Sequence, residues 1–327
     1  MPDRPEASVV IPTRSRWHLL STAALPSALE QADVDVEVIV VDDGSQDETP
    51  SRLAEIDDPR LRVVRHETSR GVAIARNAGI EAARGRWVSF LDDDDLWSPA
   101  KLRKQIDSAE AAGAVFAYSA GGGLDAARTF LFAVPPPDPA SVTERLLQWN
   151  VIWCGCSNVL ARSDVVAELG GFDERLGQLA DWDLWIRLAL AGGAAATSEV
   201  LVGYVMHDES MLLTDPREVF PEMDHLVAKH GAAARAHGVR LDEALFTRWV
   251  ARGHRLAGRR TRAARTYLRG AWQYHDLGAI PRAVLSFAPE RVVNVSRTLG
   301  GVEQRSALRK ERVPEPDWVA RFRASRA

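Results

Sequence analysis

Cysteine is scarce in this sequence: Cys154 and Cys156 are the only two among 327 residues. The two residues are too close along the chain for an unstrained disulfide, and no second pair exists to complete a four-ligand zinc site. A disulfide-stabilised scaffold and a zinc finger are therefore excluded. We expect both cysteines to be small buried residues of a protein in a reducing compartment.

Long apolar stretches are also missing. No run of about 18 apolar residues, the length that crosses a bilayer, occurs in the chain, and the N-terminal segment lacks the basic and apolar regions of a signal peptide. We therefore expect a cytoplasmic protein. The apolar share of 46% and the charged share of 26% are those of an ordinary folded protein.

A strong net charge is absent too, since the formal value is −4, but the charge is unevenly distributed. Residues 216–327 hold 22 Lys and Arg against 11 Asp and Glu, which leaves 19 against 34 in the rest of the chain. We expect no nucleic-acid partner. The basic region is most simply a set of solvated helix faces, and contact with anionic lipid at the inner face of the membrane is the alternative.

The first hundred residues alternate short β-rich runs with helical patterns, which predicts a parallel α/β sheet flanked by helices. The predicted strands are Ser8–Ile11, Val36–Val41, Leu61–Arg65 and Trp87–Leu91, and the predicted helices are Ser15–Gln31, Asp47–Ile56, Val72–Ala83 and Pro99–Ala112. Shorter strands follow at Ala114–Ser119, Thr129–Val134, Ser157–Ala161 and Val200–Val205, with a helix at Asp181–Ala191. We predict one domain over residues 1–215, with halves 1–112 and 113–215, and a helical, Ala- and Arg-rich region over 216–327.

Polar residues follow the first two predicted strands. Pro12, Thr13 and Arg14 end the first strand, and Asp43 ends the second. Ligands of such sheets bind beyond the carboxyl ends of the strands, and a carboxylate accepts a hydrogen bond from the imino N–H of a base. These residues are therefore candidates for a nucleoside pocket, with Asp43 reading the base. An alternative is that Asp43 and its neighbours only form a turn and cap the next helix.

Four consecutive carboxylates, Asp92, Asp93, Asp94 and Asp95, follow the fourth predicted strand. These carboxylates repel one another, and a turn alone does not account for four of them in a row. A shared divalent cation makes the cluster favourable. Such a cation bridges phosphates and neutralises the charge of a leaving diphosphate. A solvated acidic loop that caps the following helix is the alternative.

Three further residues fit the same edge of the sheet. Gly71 begins a predicted helix and permits close approach of a ligand, and Asn77 is an amide on an otherwise apolar helix face, which indicates a fixed hydrogen-bond partner. Asp181 begins the predicted helix of the second half, where a general base or an N-cap are both compatible with its position.

Taken in their order along the chain, these motifs resemble those of glycosyltransferase family 2, the inverting transferases of the GT-A fold, over about residues 7–213. The matching pieces are Val9–Thr13, Val40–Ser45, Gly71–Gly79, Phe90–Asp95, Gly170–Asp173 and Asp181–Trp185. The resemblance implies a mixed, mainly parallel sheet, a nucleotide-binding first half and an acceptor-binding second half. It also implies single-step transfer of one sugar, with inversion, from a nucleoside diphosphate sugar to a hydroxyl acceptor.

Residue roles follow from the same resemblance. Thr13 and Asp43 would contact the base, and Asp93 the donor ribose or sugar. Asp92 and Asp94 would form an Asp-x-Asp pair for Mn²⁺ or Mg²⁺, with Asp94 the direct ligand, and Asp181 would be the base. His207 would lie near the diphosphate or the metal, and a structural role is its alternative.

Two departures qualify the resemblance. Many relatives carry an acidic residue just before the base, where this chain has Ala180. The Gln-x-x-Arg-Trp element and the membrane spans of processive relatives are missing, which favours transfer of a single sugar.

Three other functions are alternatives to the transferase. An NAD-dependent enzyme would need a glycine-rich turn after the first strand, and the only near match, Gly121–Ala126, lies mid-chain. A sugar nucleotidyltransferase would need a glycine-rich basic loop at the same place. A non-catalytic nucleotide-sugar-binding scaffold would not need the full set of carboxylates.

UDP is the expected nucleotide, with dTDP as an alternative. The sequence does not identify the donor sugar, or whether the acceptor is a sugar, a lipid-linked glycan or a small molecule.

Overall fold

Strand β1 (Ala7–Thr13) lies at the centre of a parallel layer, and all seven of its residues are buried. In the computed structural model, which describes residues 4–207, 219–288 and 313–323, β1 pairs with β2 (Val36–Asp43) on one side and β4 (Trp87–Phe90) on the other. Strand β3 (Leu61–His66) extends the layer beyond β2. Continuous apolar runs produce this arrangement because helices cover both faces of a parallel sheet.

The helices of this half are α1 (Trp17–Leu19), α2 (Leu25–Leu29), α3 (Thr49–Ala54), α4 (Val72–Ala82) and α5 (Lys101–Ala112). The predicted helix Ser15–Gln31 is observed as three segments, because the π-helical turn Leu20–Ala24 separates α1 from α2. Pro26, near the start of α2, has no N–H to donate, so a regular α-helical ladder cannot pass through it.

The second half completes a mixed sheet with the strand order β3-β2-β1-β4-β8-β6-β9-β5, and β7 pairs with β6. Its strands are β5 (Leu96–Trp97), β6 (Phe116–Leu124), β7 (Phe130–Val134), β8 (Leu160–Arg162) and β9 (Ala194–Val205). The helices α6 (Val142–Leu146), α7 (Ser163–Glu168) and α8 (Ala180–Ala191) lie between them in sequence. The longest strand pairs are parallel, so the predicted mixed, mainly parallel sheet is confirmed.

Strand β6 runs five residues beyond the predicted end at Ser119. Three consecutive glycines, Gly121–Gly123, lie in this extension, although such a run usually indicates a turn. Here the glycines are extended, and a Cβ at Gly123 would lie 2.5 Å from the Phe132 ring. Packing against aromatic side chains therefore accounts for the glycines within the strand.

The chain forms two compact units. The described parts of residues 1–146, 150–206 and 310–327 form the first, and those of 147–149 and 207–309 form the second. The second unit contains α9 (Phe220–Ala236), α10 (Glu243–Leu256), α11 (Arg260–Gln273) and α12 (Ala279–Leu285), which confirms a helical C-terminal region. Residues 208–218 and 289–312 of the predicted regions lie outside the described residues. Among those that are described, no helix is long and apolar enough to cross a membrane.

A short C-terminal segment belongs to the first unit. Helix α13 (Asp317–Ala320) places Trp318 so that its indole N–H donates to the carbonyl of Val200, at 3.0 Å. Val319 and Phe322 enter an apolar cluster that also contains Ala23, Leu96, Leu124 and Val205. This unit is therefore built from stretches that are far apart along the chain.

Candidate active site

The four-carboxylate loop lies at the carboxyl edge of the sheet, between the end of β4 and the start of β5. Its side chains alternate: Asp93 and Asp95 are buried, whereas Asp92 and Asp94 keep partial exposure. A turn in which the N–H of Asp95 donates to the carbonyl of Asp92 fixes this alternation. Two carboxylates therefore point into the protein and two are available at its surface.

Asp93 connects the loop to strand β1. The hydroxyl of Thr13 donates to Asp93 Oδ2 at 2.8 Å, and Arg16 donates to Asp93 Oδ1 at 2.9 Å. Arg16 also lies 3.1 Å from Asp94. Burial, followed by the negative charge of Asp94, raises the pKa of Asp93 to about 7 against the effects of Arg16 and Thr13. Arg16 was not among the predicted site residues, although it stands three residues after Thr13.

Asp92 is held from the other side by helix α4. Arg76 donates to Asp92 Oδ1 at 2.6 Å, and its guanidinium lies 5.4 Å from the centre of the Phe172 ring. Arg76 is almost fully buried, at 6% exposure. A buried cation must be paired to be tolerated, so Asp92 and Arg76 stabilise one another.

Asp95 joins the loop to two other elements. Its carboxylate accepts from the Ser157 hydroxyl at 2.5 Å and from the N–H of Val205 at 3.1 Å. Ser157 Oγ in turn accepts from the N–H of Asp92 at 3.1 Å. Burial, together with the charges of Asp94 and Asp92, raises the pKa of Asp95 well above its ordinary value. Ser157 thus orients two members of the loop, a role that its sequence context did not indicate.

A buried lysine contacts two residues that flank the loop in sequence. Lys101 Nζ donates to Ser89 Oγ at 2.8 Å and lies 3.8 Å from the centre of the Trp97 ring. The Trp97 indole N–H donates to the carbonyl of Ser157 at 2.7 Å. Burial lowers the pKa of Lys101 well below its ordinary value.

The donor groups present fit a divalent cation that arrives with a diphosphate. No cluster of three or more His, Cys, Asp or Glu side chains set to hold a metal occurs among the described residues. Mg²⁺ commonly uses only one or two carboxylates and takes its other ligands from water and substrate phosphates. Asp92 and Asp94, the two partly exposed members, match that requirement. His207, half-buried two residues after β9, remains a predicted contact.

The Asp43 carboxylate is surrounded by donors from the loop that precedes α4. It accepts from the Ser69 hydroxyl at 2.7 Å, from the backbone N–H groups of Arg70 and Gly71 at 2.9 and 3.0 Å, and lies 2.7 Å from His66 Nδ1. Burial acts to raise the pKa of Asp43, but these hydrogen bonds outweigh it and leave the pKa lowered. Asp43 is therefore ionised and shapes this loop. Its contact with a base remains a prediction, and it requires a base N–H to share or replace one of these donors.

The other predicted donor residues differ in their surroundings. Pro12 is buried within β1, and Arg14 is exposed just beyond it. Asn77 exchanges two hydrogen bonds with the backbone of Phe172: its Nδ2 donates to the carbonyl at 3.0 Å, and its Oδ1 accepts from the N–H at 2.8 Å. The fixed partner expected for the amide is thus the segment Gly171–Glu174. Donor contact by Pro12, Arg14, Gly71 and Asn77 remains a prediction.

Asp181 lies in the first turn of α8, close to the segment Trp153–Ser157. Its Oδ2 accepts from Asn150 at 3.2 Å, and its Oδ1 accepts from the N–H of Trp182 at 2.6 Å. Although Asp181 keeps partial exposure, burial raises its pKa to about 6, while Arg76 acts to lower it. A Cβ at Gly155 would lie 3.0 Å from Asp181 Oδ2, so the glycine leaves room beside this carboxylate. The arrangement suits a proton acceptor that works near neutral pH.

Comparisons with known proteins find similarity to glycosyltransferases. The sequence profile described as Glycosyl transferase family 2 matches residues 8–170. Succinoglycan biosynthesis protein ExoO of Rhizobium meliloti (strain 1021) is 38% identical over 197 residues, which are 56% of this chain and 56% of that protein. The UDP-Glc:alpha-D-GlcNAc-diphosphoundecaprenol beta-1,3-glucosyltransferase WfgD of Escherichia coli is 37% identical over 99 residues, 30% of this chain and 39% of that protein. The chain thus spans about half or less of the length of these relatives.

Among solved structures, S. aureus TarS 1–349 in complex with UDP-GlcNAc has a TM-score of 0.59 to this chain at 19% identity. The match covers 88% of this chain and 82% of that one. It shows a common fold, so the GT-A architecture implied by the sequence motifs is confirmed.

Proposed function

We propose that this chain, which belongs to glycosyl transferase family 2 through residues 8–170, transfers one sugar from a nucleoside diphosphate sugar to a hydroxyl acceptor, with inversion. One observation carries the proposal: the acidic loop and Asp181 converge on a single segment. Ser157 binds the loop at Asp92 and Asp95, and Gly155, two residues earlier, lies against Asp181. A diphosphate site and a proton acceptor on one segment are what such a transfer requires.

On the donor side, the carboxyl edge of the sheet carries the residues that we propose to bind the nucleotide sugar. Thr13 and Asp43 are the proposed contacts of the base, with Pro12, Arg14, Gly71 and Asn77 around them and Asp93 toward the ribose or sugar. UDP is the favoured nucleotide, because a relative is named as a UDP-glucose-dependent transferase and the TarS complex holds UDP-GlcNAc. A thymidine diphosphate has the same imino edge and is the alternative.

Asp94 and Asp92 are the residues that would hold a divalent cation, with His207 as a further candidate. Mn²⁺ or Mg²⁺ bound there would supply positive charge to the diphosphate. Arg16 and Arg76 pair with the same carboxylates.

On the acceptor side, Asp181 takes the proton of the acceptor hydroxyl as that oxygen bonds to the anomeric carbon. The bond from the anomeric carbon to the diphosphate oxygen breaks in the same displacement, and its electron pair leaves with the nucleoside diphosphate. Attack opposite the leaving group inverts the configuration, and no covalent intermediate with the protein forms. The raised pKa of Asp181 suits this role because a base is most effective with a pKa near the working pH.

The acceptor class is inferred from the relatives. One is named for succinoglycan biosynthesis and another for transfer to a diphosphoundecaprenol-linked sugar, so we propose a role in the synthesis of a cell-surface polysaccharide or glycoconjugate. A lipid-linked acceptor would bring the enzyme to the inner face of the membrane. The second unit has a suitable surface, because the exposed side chains of its α11 and α12 combine arginine with large apolar residues.

A thermal-shift panel tests the donor site. Nucleoside diphosphates and nucleotide sugars are added with and without Mn²⁺, and a ligand at a hundred times its dissociation constant raises the melting temperature by about 5 °C. We expect a shift with UDP-sugars that depends on Mn²⁺, and Asp94→Ala should abolish the Mn²⁺-dependent part while leaving the melting temperature of the free protein similar.

The matched control is Asp107→Ala, which removes a carboxylate that is exposed on α5. It should bind as the parent does. Binding by Asp94→Ala that equals the parent would remove the metal assignment, and a shift with NAD alone would contradict the transferase.

A further inference from the structure

Three aromatic side chains meet on one face of the sheet, close to the turn that contains Gly155. The Trp153 ring lies between Phe132 of β7 and Tyr204 of β9, with centroid separations of 5.9 and 5.5 Å. All three side chains are partly exposed. Together they form a continuous surface across β7, β6 and β9, which we call the aromatic platform.

The glycines of β6 make this surface possible. A Cβ at Gly121 would lie 2.6 Å from Trp153 Cδ1, and one at Gly123 would lie 2.5 Å from the Phe132 ring. Gly123 is also the strand partner of both Phe132 and Tyr204. The glycine run therefore serves a purpose that neither a turn nor a nucleotide-binding loop explains: it leaves space for rings to lie close to the sheet.

The platform is continuous with the proposed base. Trp153 is followed by Cys154 and Gly155, which both have positive φ, of 67° and 47°. The Cys154 sulfur packs over Gly121, and Gly155 lies against the Asp181 carboxylate. One tight turn thus connects the platform to Asp181. A group bound on the rings has only the width of this turn to cross before it reaches the base.

The polar character of the platform also points to a ligand with hydroxyl groups. Tyr204 carries a phenolic hydroxyl, which can hydrogen-bond to a hydroxyl group of a ligand, whereas the indole N–H of Trp153 is buried beside Gly121. None of the three side chains is charged, so the surface is unsuited to a diphosphate. Sugar rings combine an apolar face of C–H groups with hydroxyls at the rim, and aromatic side chains with a polar end match both.

We propose that Phe132, Trp153 and Tyr204 form the acceptor subsite, where the apolar face of a sugar ring stacks while its hydroxyl is presented to Asp181. The proposal rests on the transferase function above and adds the class of acceptor. It assigns recognition of the acceptor to side chains of β7 and β9 and to the segment before Gly155.

Initial-rate kinetics of Trp153→Leu and Phe132→Leu test the platform. The donor is the nucleotide sugar that gives the largest thermal shift, and the acceptors are p-nitrophenyl glycosides of glucose, galactose and N-acetylglucosamine. We expect each variant to raise the acceptor KM about tenfold, the equivalent of one lost stacking contact, with the donor KM within twofold of the parent. Trp153→Phe keeps a ring and should keep the acceptor KM within threefold.

The matched control is Phe130→Leu. Phe130 lies on the same strand, but the irregularity between β6 and β7 directs its ring to Gly122, with the apolar cluster of Leu124. This variant should leave the acceptor KM unchanged. Acceptor KM values of the platform variants within twofold of the parent would overturn the subsite, as would failure of the parent to use any of these sugars while it binds donor. Absence of donor binding would instead contradict the transferase itself.

Discussion

At the scale of single residues, the environment of Asp181 separates it from the other carboxylates of the site. The buried pair of the acidic loop is fixed by hydroxyl, backbone or arginine donors, and Asp43 is held ionised by four donors. Asp181 accepts two hydrogen bonds, one from the side chain of Asn150 at 3.2 Å and one from the backbone N–H of Trp182 at 2.6 Å, and its neighbour Gly155 has no side chain. It is therefore the carboxylate best able to accept a proton from a bound hydroxyl.

We predict that Asp181→Asn lowers kcat by about 10²- to 10⁴-fold, the usual contribution of a general base, with little change in donor affinity. The parent should lose kcat/KM below about pH 6, because the raised pKa of Asp181 means that the base becomes protonated there, and activity should be full above it. A pH profile of initial rates checks both statements.

Asp183→Asn provides the comparison for this prediction. Asp183 lies two residues further along α8, fully buried and paired with Arg187, so its loss should lower stability while the acid limb of the profile stays near pH 6. An unchanged kcat for Asp181→Asn would move the base elsewhere.

The order of residue types along the chain predicted the positions of the carboxylates, because strand ends and acidic runs can be recognised in a sequence. Their partners were not visible. Ser157 lies more than 60 residues from the loop that it orients, and nothing local distinguishes it from other serines. Lys101 was hidden for a different reason: burial of an amine against Trp97 and Ser89 depends on tertiary packing that sequence composition does not express.

At the scale of secondary structure, helix α4 is fastened to the segment Gly171–Glu174 by one side chain. Asn77 satisfies both the N–H and the carbonyl of Phe172, and a Cβ at Gly171 would lie 2.5 Å from Asn77 Oδ1. Arg76, the next residue, carries the pairing with Asp92. The position of α4 thus determines the position of one member of the acidic loop.

We predict that Asn77→Ala lowers the free energy of unfolding by about 2–4 kcal/mol, because two backbone groups of Phe172 lose their partner. Glu81→Ala, an exposed change on the same helix, should be close to neutral. Chemical denaturation of the three proteins measures the difference. If Asn77→Ala keeps its stability but loses affinity for the donor, the predicted donor contact is the better account of this residue.

Elements that form regular apolar runs were predicted closely, as β1, β2 and α4 illustrate. The deviations have physical causes. The glycines of β6 have the composition of a turn but the conformation of a strand, and β5 is a two-residue strand that exists only through its pairing with β9. Neither feature follows from local propensity, because each depends on side chains or strands from distant parts of the chain.

At the scale of the whole molecule, the second unit has the composition of an interfacial surface. Residues 259–288 hold six arginines and a single acidic residue, Asp276. Large apolar side chains are exposed on α11, on α12 and in the turn between these helices: Trp272 at 84%, Leu277 at 74% and Val284 at 70%. Exposed apolar area beside an excess of arginine over acidic residues suits the surface of an anionic bilayer.

We predict that the protein sediments with vesicles that contain phosphatidylglycerol and much less with pure phosphatidylcholine, and that salt weakens the binding. Replacing Trp272, Leu277 and Val284 together by serine should reduce partitioning by about tenfold or more, because each buries apolar area in the bilayer. Leu190→Ser, which changes an exposed leucine of the first unit, is the control. Self-association that the triple variant abolishes, without vesicle binding by the parent, would indicate that a second copy covers this surface instead.

The return of Trp318, Val319 and Phe322 to the first unit has a consequence for biosynthesis. The apolar cluster around Leu96, Leu124 and Val205 receives its last members only after about 110 further residues have left the ribosome. At ordinary elongation rates that interval is roughly 5–20 s. During it the newly made sheet exposes a patch that its own chain will later cover, so a chaperone has its best opportunity to bind there before translation ends.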